Sequence, residues 1–134
     1  MEFAPVGTEG FISPRSMPWF DDTDVPGVKT MEDKMMEYHG EVIRVPENLS
    51  GWAYGAIVCE AVRIAVAEVG LENADGPAMK RALESMQDFD VDGIAKFTFG
   101  PEDRRGDIAL AVNQIQDGKI VRVSDYMDAN ILVR

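Results

Sequence analysis

The stretch Ser50-Gly51-Trp52-Ala53-Tyr54-Gly55-Ala56-Ile57-Val58-Cys59-Glu60-Ala61-Val62-Arg63-Ile64-Ala65-Val66-Ala67-Glu68-Val69 reads as a helix that is apolar around most of its circumference. At roughly 100° per residue, Arg63, Ala56, Ala67 and Glu60 share one narrow polar face. The remaining arc runs from Ile64 and Ile57 through Tyr54, Val58, Val62 and Val66 to Trp52, and Glu68 is its main interruption. A helix with so wide an apolar arc is buried by neighbours on more than one side. The rest of the chain is short, so part of that cover is expected to come from outside it. Leaving Val58, Val62 and Val66 wet would forfeit about 1.5–3 kcal/mol each, against a typical total stability of about 5–15 kcal/mol. Self-association as a symmetric or swapped homodimer is the simplest expected cover. Cys59 lies on the apolar arc and is expected to pack there as a small hydrophobe.

Towards the N-terminus, Arg44-Val45-Pro46-Glu47-Asn48 reads as a linker, with Ser50 as the cap of the long helix and Gly70 as its stop. An earlier helix starts at Asp24, Pro26 and Gly27. Val28, Met31, Met35 and Tyr38 recur in it at helical spacing, and Gly40 ends it. Residues 1–26 are rich in Pro and Gly; Gly10-Phe11-Ile12-Ser13 suits a strand, and Pro14 to Phe20 reads as irregular backbone. Towards the C-terminus, Asp75 caps a third helix with Pro77 in its first turn, and Ala78, Met79, Ala82, Leu83 and Met86 face one side. From Asp92-Gly93 the period changes to two. Ile94 to Phe99 reads as a strand and Gly100 to Gly106 as a charged loop. Asp107 to Gln116 and Lys119 to Ser124 read as two strands joined by Asp117-Gly118, a two-residue hairpin signal. The expected fold class is α/β, with three helices followed by antiparallel strands that end in a C-terminal hairpin.

The 134 residues suffice for one domain with a core, and 46% of them are hydrophobic, a globular composition. A net charge of −11 argues against a nucleic-acid partner or an anionic membrane surface. The single cysteine excludes an intrachain disulfide. No segment is read as reaching the roughly 20 apolar residues that cross a bilayer. Met1-Glu2-Phe3-Ala4-Pro5 has no basic region followed by an apolar run, so no signal peptide is expected in this sequence.

Little in the chain suggests chemistry. Asp88-Phe89-Asp90-Val91-Asp92-Gly93 has the opening of a calcium loop, but the twelfth position, which needs a bidentate Glu, is Phe99. An acidic helix-to-strand turn is the better reading. Asp21, Asp22 and Asp24 read as a solvated loop plus a helix cap. His39 is the sole histidine, so neither a triad nor a multi-histidine metal centre can be assembled. Arg104-Arg105-Gly106 could hold an anion or simply be solvated. No phosphate-binding glycine motif is present. No catalytic residue, no metal and no cofactor are expected. The aromatics say more: Trp19 beside Phe20 in a Pro-flanked segment, and Trp52 and Tyr54 just after the linker that holds Asn48. Apolar walls with few polar anchors make binding clefts, so Trp19, Asn48, Trp52 and Tyr54 are the candidate ligand contacts. The alternative is that the aromatics pack the core and Asn48 shapes the linker.

Several blocks, in order, resemble a known family. The first is Glu9-Gly10-Phe11-Ile12 leading to Pro18-Trp19-Phe20 and Val25-Pro26-Gly27-Val28-Lys29. The second is Tyr38-His39-Gly40 with Pro46-Glu47-Asn48 and Gly51-Trp52-Ala53-Tyr54-Gly55-Ala56. The third is Glu84 with Asp88-Phe89-Asp90, then Phe97-Thr98-Phe99, Asp103-Arg104-Arg105-Gly106 and Gln116-Asp117-Gly118-Lys119. Over nearly its whole length the chain resembles the C-terminal part of ABC-transporter substrate-binding proteins of the branched-chain amino-acid (leucine/isoleucine/valine) type, which have the type I periplasmic-binding-protein fold. The resemblance implies a two-lobed receptor that closes on an amino acid or a related organic acid or amide and docks on an ABC permease in the periplasm or cell envelope. It implies no enzymatic activity. It divides the chain into a strand and inter-lobe crossing (1–26), a helical part of the first lobe with a strand (27–106), and a hairpin returning towards the second lobe (107–134). The alternative function is a free-standing dimeric interaction or regulatory module built on the same fold.

Overall fold

In the computed structural model, which describes residues 7–22, 24–106 and 109–128, each helix has a proline in its first turn. A proline there has its φ preset and lacks only an N–H that would be unpaired anyway. The three helices are α1 (Pro26–His39), α2 (Pro46–Val69) and α3 (Gly76–Glu84), with one 3₁₀ turn at Leu71–Asn73 between the last two. Helix α2 thus begins inside the expected linker, and Ser50 is not its cap. Extended Val45 stands at that position without a side-chain bond, while the Ser50 hydroxyl donates to the Pro46 carbonyl at 3.4 Å. Nor does Asp24 cap α1; Val25 occupies the position, and Asp24 instead accepts from Arg122 at 2.8 Å. Asp75 does cap α3, accepting the Ala78 N–H at 3.0 Å. Gly40 ends α1 in the left-handed conformation, φ 76°.

The strands are β1 (Ile12–Arg15), β2 (Phe89–Asp90), β3 (Lys96–Phe97), β4 (Ala109–Gln116), β5 (Lys119–Arg122) and β6 (Met127–Asp128). Antiparallel β1, β4 and β5 lie side by side, and β6 pairs with the first residues of β4. Asp117 (φ 52°) and Gly118 (φ 72°) both adopt the left-handed region that the two-residue turn between β4 and β5 requires. Three expectations shift. The first strand falls at Ile12–Arg15, so Pro14 and Arg15 are extended and paired with β4, not irregular. The strand expected over 94–99 shortens to β3 and pairs with β2, which is too short to leave a period-two pattern. The second hairpin strand ends at Arg122, although the Val123 N–H still reaches the Val112 carbonyl at 2.9 Å. Residues 107–108 of the expected strand lie outside the described residues. The stretch 88–93, expected as a helix-to-strand turn, contains β2 itself; residues 91–95 close the β2–β3 hairpin, with the Gly93 N–H donating to Asp90 Oδ1 at 2.7 Å.

Helix α2 crosses the molecule with two unlike sides. Leu49, Ala53, Ile57, Ala61 and Ala65 recur every fourth residue and are buried. The alanines among them let α3 approach through its own buried Ala78 and Ala82. On the other side Tyr54 (56% exposed), Val58 (56%) and Val62 (42%) are bare, and Val66 is half-buried. Cys59 is also exposed, contrary to its expected place in the core, because it projects away from the alanine stripe. By length and composition α2 is long and apolar enough to cross a membrane, which corrects the expectation that no segment is. Its packing on α3 and the Glu60–Arg63 ion pair near its middle (2.6 Å) mark it as a helix of the globular fold. Gly27 brings the start of α1 onto the β2–β3 turn: its N–H donates to the Asp92 carbonyl at 2.9 Å, and an added Cβ would lie 2.9 Å from that oxygen. The N-terminal segment is tied to the far hairpin by Glu9, whose carboxylate accepts the N–H groups of Asp117 (3.1 Å) and Gly118 (3.3 Å).

Candidate functional site

Side chains alternate across a strand, so Ser13 and Arg15 project from one face of β1. The register pairs Ser13 with Asn113 and Ile115 with Ile120. These residues therefore gather on one face of the β1–β4–β5 sheet, where it meets the start of α2. Between them lies a cavity of about 300 Å³ lined by Phe11, Ser13, Arg15, Trp19, Pro46, Asn113, Gln114, Ile115 and Ile120. Trp19 is its buried wall. It packs edge-on against Phe20 with ring centroids 5.6 Å apart, and its backbone N–H donates to Asp22 Oδ2 at 2.7 Å. The Arg15 guanidinium lies 4.2 Å from the centre of the Trp19 ring, a cation–π arrangement. Partial burial lowers the Arg15 pKa, and the nearby Tyr126 and Asp22 oppose that shift. An arginine stays charged at neutral pH regardless. Asn113 is buried, with its amide Nδ2 3.4 Å from the Ala111 carbonyl.

Of the four expected ligand contacts, only Trp19 lines this cavity. Asn48 donates through Nδ2 to the Ile43 carbonyl at 2.8 Å and so closes the turn before α2. Trp52 is half-buried in a second groove of about 510 Å³ between α2 and the β2–β3 hairpin, with Gly55, Cys59, Phe89, Asp90 and Asp92. Tyr54 points outward and lines neither space. The four do not converge. Sequence reasoning missed Arg15, Ser13 and Asn113. Their only local signal is alternation in a short strand, and what unites them is the pairing of β1 with a strand almost a hundred residues later.

Other polar candidates are engaged within the fold. Asp103 takes a forked contact from Arg105, Nε to Oδ1 at 2.9 Å and Nη2 to Oδ2 at 2.6 Å, and Arg104 lies 3.5 Å from Glu84. Among the described residues no group of three or more His, Cys, Asp or Glu could hold a metal ion. The sheet-side cavity thus offers one half-buried cation, a buried amide and a hydroxyl among apolar walls, a set suited to holding a small amphiphilic molecule.

No protein-family model matches the chain, and no curated protein matches it. Solved structures do. The chain superposes on a branched chain amino acid ABC transporter from Thermus thermophilus, solved with bound valine, with a TM-score of 0.79 at 19% identity; the match covers 95% of this chain and 36% of that one. A possible leucine/isoleucine/valine-binding protein from Rhodopirellula baltica gives 0.69 at 23% identity, covering 87% and 30%. A fatty acid ABC transporter substrate-binding protein from Thermomonospora curvata gives 0.69 at 16%, covering 90% and 31%. The fold is therefore that of part of a periplasmic binding protein, and the chain spans about a third of the length of these structures.

Proposed function

We propose that this chain serves as solute-binding receptor of an ABC importer, for branched-chain amino acids or related small organic molecules. The observation that carries the reading is a fold shared with such receptors together with a walled cavity where the sheet meets α2. Trp19 is its main apolar contact, and Trp52 serves the second groove. Handing the solute to an ABC permease at the cell envelope follows from the same reading, as does the lack of catalysis. The exposed side of α2, with Tyr54, Val58 and Val62, is covered in this reading by a second copy. That face also favours a second reading, in which the chain is a dimeric interaction module and transports nothing.

A thermal-shift screen of aliphatic amino acids, organic acids and amides on the purified chain separates the two. A solute at about 100 times its Kd stabilises by about 2.7 kcal/mol, which raises the Tm of a domain this size by about 5–10 °C. A rise of that order with at least one solute is expected; no rise with any would favour the interaction module. Light scattering after size exclusion should give twice the chain mass of 14.8 kDa. A monomer at every concentration measured would refute the homodimer.

A further inference from the structure

We propose that the sheet-side cavity is selective for a small apolar monocarboxylate without an α-ammonium group, and that Arg15 is the partner of its carboxylate. The proposal rests on the receptor reading and narrows its ligand.

Three features favour a carboxylate. Arg15 forms no ion pair among the described residues, although ten such pairs involve other side chains. Its guanidinium is steadied over the Trp19 ring at 4.2 Å, and a guanidinium so held keeps N–H groups for a planar two-oxygen acceptor. Pro46, the first residue of a 24-residue helix, borders the same space, so the positive end of the α2 dipole adds to the field there. Asn113 brings a buried amide from β4 into the same lining.

One feature disfavours an amino acid. Among the described residues the lining includes no aspartate or glutamate. The neighbouring Asp22 carboxylate, whose charge favours the charged form of Arg15, accepts the Trp19 backbone N–H at 2.7 Å and lies outside the lining. An ammonium group entering the cavity would be desolvated with no carboxylate in the lining to pair with and would face Arg15, a like charge. The remaining walls, Phe11, Ile115 and Ile120, suit a hydrocarbon body. At about 300 Å³ the space is at the lower end for ligand pockets, which fits a short branched or aromatic acid.

Three isosteric probes test this by calorimetry on the full chain: isocaproate, leucine (its α-amino counterpart) and isoamylamine (leucine without the carboxylate). Isocaproate should bind at least about tenfold more tightly than leucine, and isoamylamine should give no heat. Arg15→Gln should weaken isocaproate about 10- to 100-fold with an unchanged circular-dichroism spectrum. Leucine binding as tightly as isocaproate would overturn the inference and leave the receptor reading standing. So would wild-type affinity for isocaproate in Arg15→Gln, or a thermal shift from other solutes with none from isocaproate. No binding by any solute would end both. Should Arg15→Gln fail to fold, the three probes on the unaltered chain still decide.

Discussion

The helical half and the sheet half of this molecule are built on different terms. Between Trp19 and Phe97 a continuous apolar core forms, in which Met31, Leu49, Ala53, Ala61 and Ala65 are all but sealed from solvent. Among the described residues of the sheet only Ala111 and Asn113 are buried, while Ile12, Val121, Val123 and Met127 face outward. The sheet is held by its ladder and by tethers such as Glu9 to the 117–118 turn and Arg122 to Asp24. The helical half can stabilise itself by burial, whereas the sheet half depends on polar ties, each worth about 0.5–1.5 kcal/mol. The cavity lies at the seam, and α2 reaches it with its first residue.

The largest expected effect sharpens that contrast within α2 itself. Leu49→Ala removes a side chain from the sealed stripe and should cost about 2–5 kcal/mol in urea unfolding. Val58→Ala, nine residues along but on the bare face, should change the stability of the dilute monomer by no more than about 0.5 kcal/mol. Equal losses at both sites would mean that the bare face is already covered in solution.

A smaller effect tests the sheet. Gly118 at φ 72° is the second turn residue of the β4–β5 hairpin, and Gly118→Ala should cost about 1–2 kcal/mol because a Cβ disfavours the left-handed region. Hydrogen exchange should show faster amides in β4 and β5 with α1 and α3 unchanged. A uniform loss of protection would show that the halves unfold as one unit and break the comparison.

How much of this was legible depended on how local each cause is. The ends of α1 at Gly40 and of α2 at Gly70, the Asp75 cap and the 117–118 turn each follow from one or two residues, and all were readable. The start of α2 was misplaced because Pro46 reads equally as a linker proline or a first-turn proline, and only the extended Val45 decides between them. The uncovered arc of α2 was foreseeable from its period, but which side α3 would take was not; the alanines at 53, 61 and 65 decided it and left Cys59 outside. Aromatic content drew attention to Trp19, Trp52 and Tyr54, yet the cavity is set by strand register. Arg15, Ser13 and Asn113 become neighbours only once β1 has paired with β4, a long-range event with no local signature.

The smallest effect concerns the loop that joins the two halves. Asp103 accepts both guanidinium contacts of Arg105 and, at 3.1 Å, the Arg105 backbone N–H, and these pull its carboxyl pKa down to about 2. A depressed folded-state value means that the carboxylate contributes stability above its ordinary 3.8, and that the contribution is lost as pH falls through about 2. The group is exposed, so salt screens the interaction and the effect on unfolding is slight. The direct readout is the carboxyl carbon shift by NMR. Its midpoint should lie near 2, and Arg105→Gln should move it back towards 3.8. A midpoint at the ordinary value in the unaltered chain would mean that the fork does not persist. The joint between core and sheet would then be loose, and the two halves more independent than their shared cavity implies.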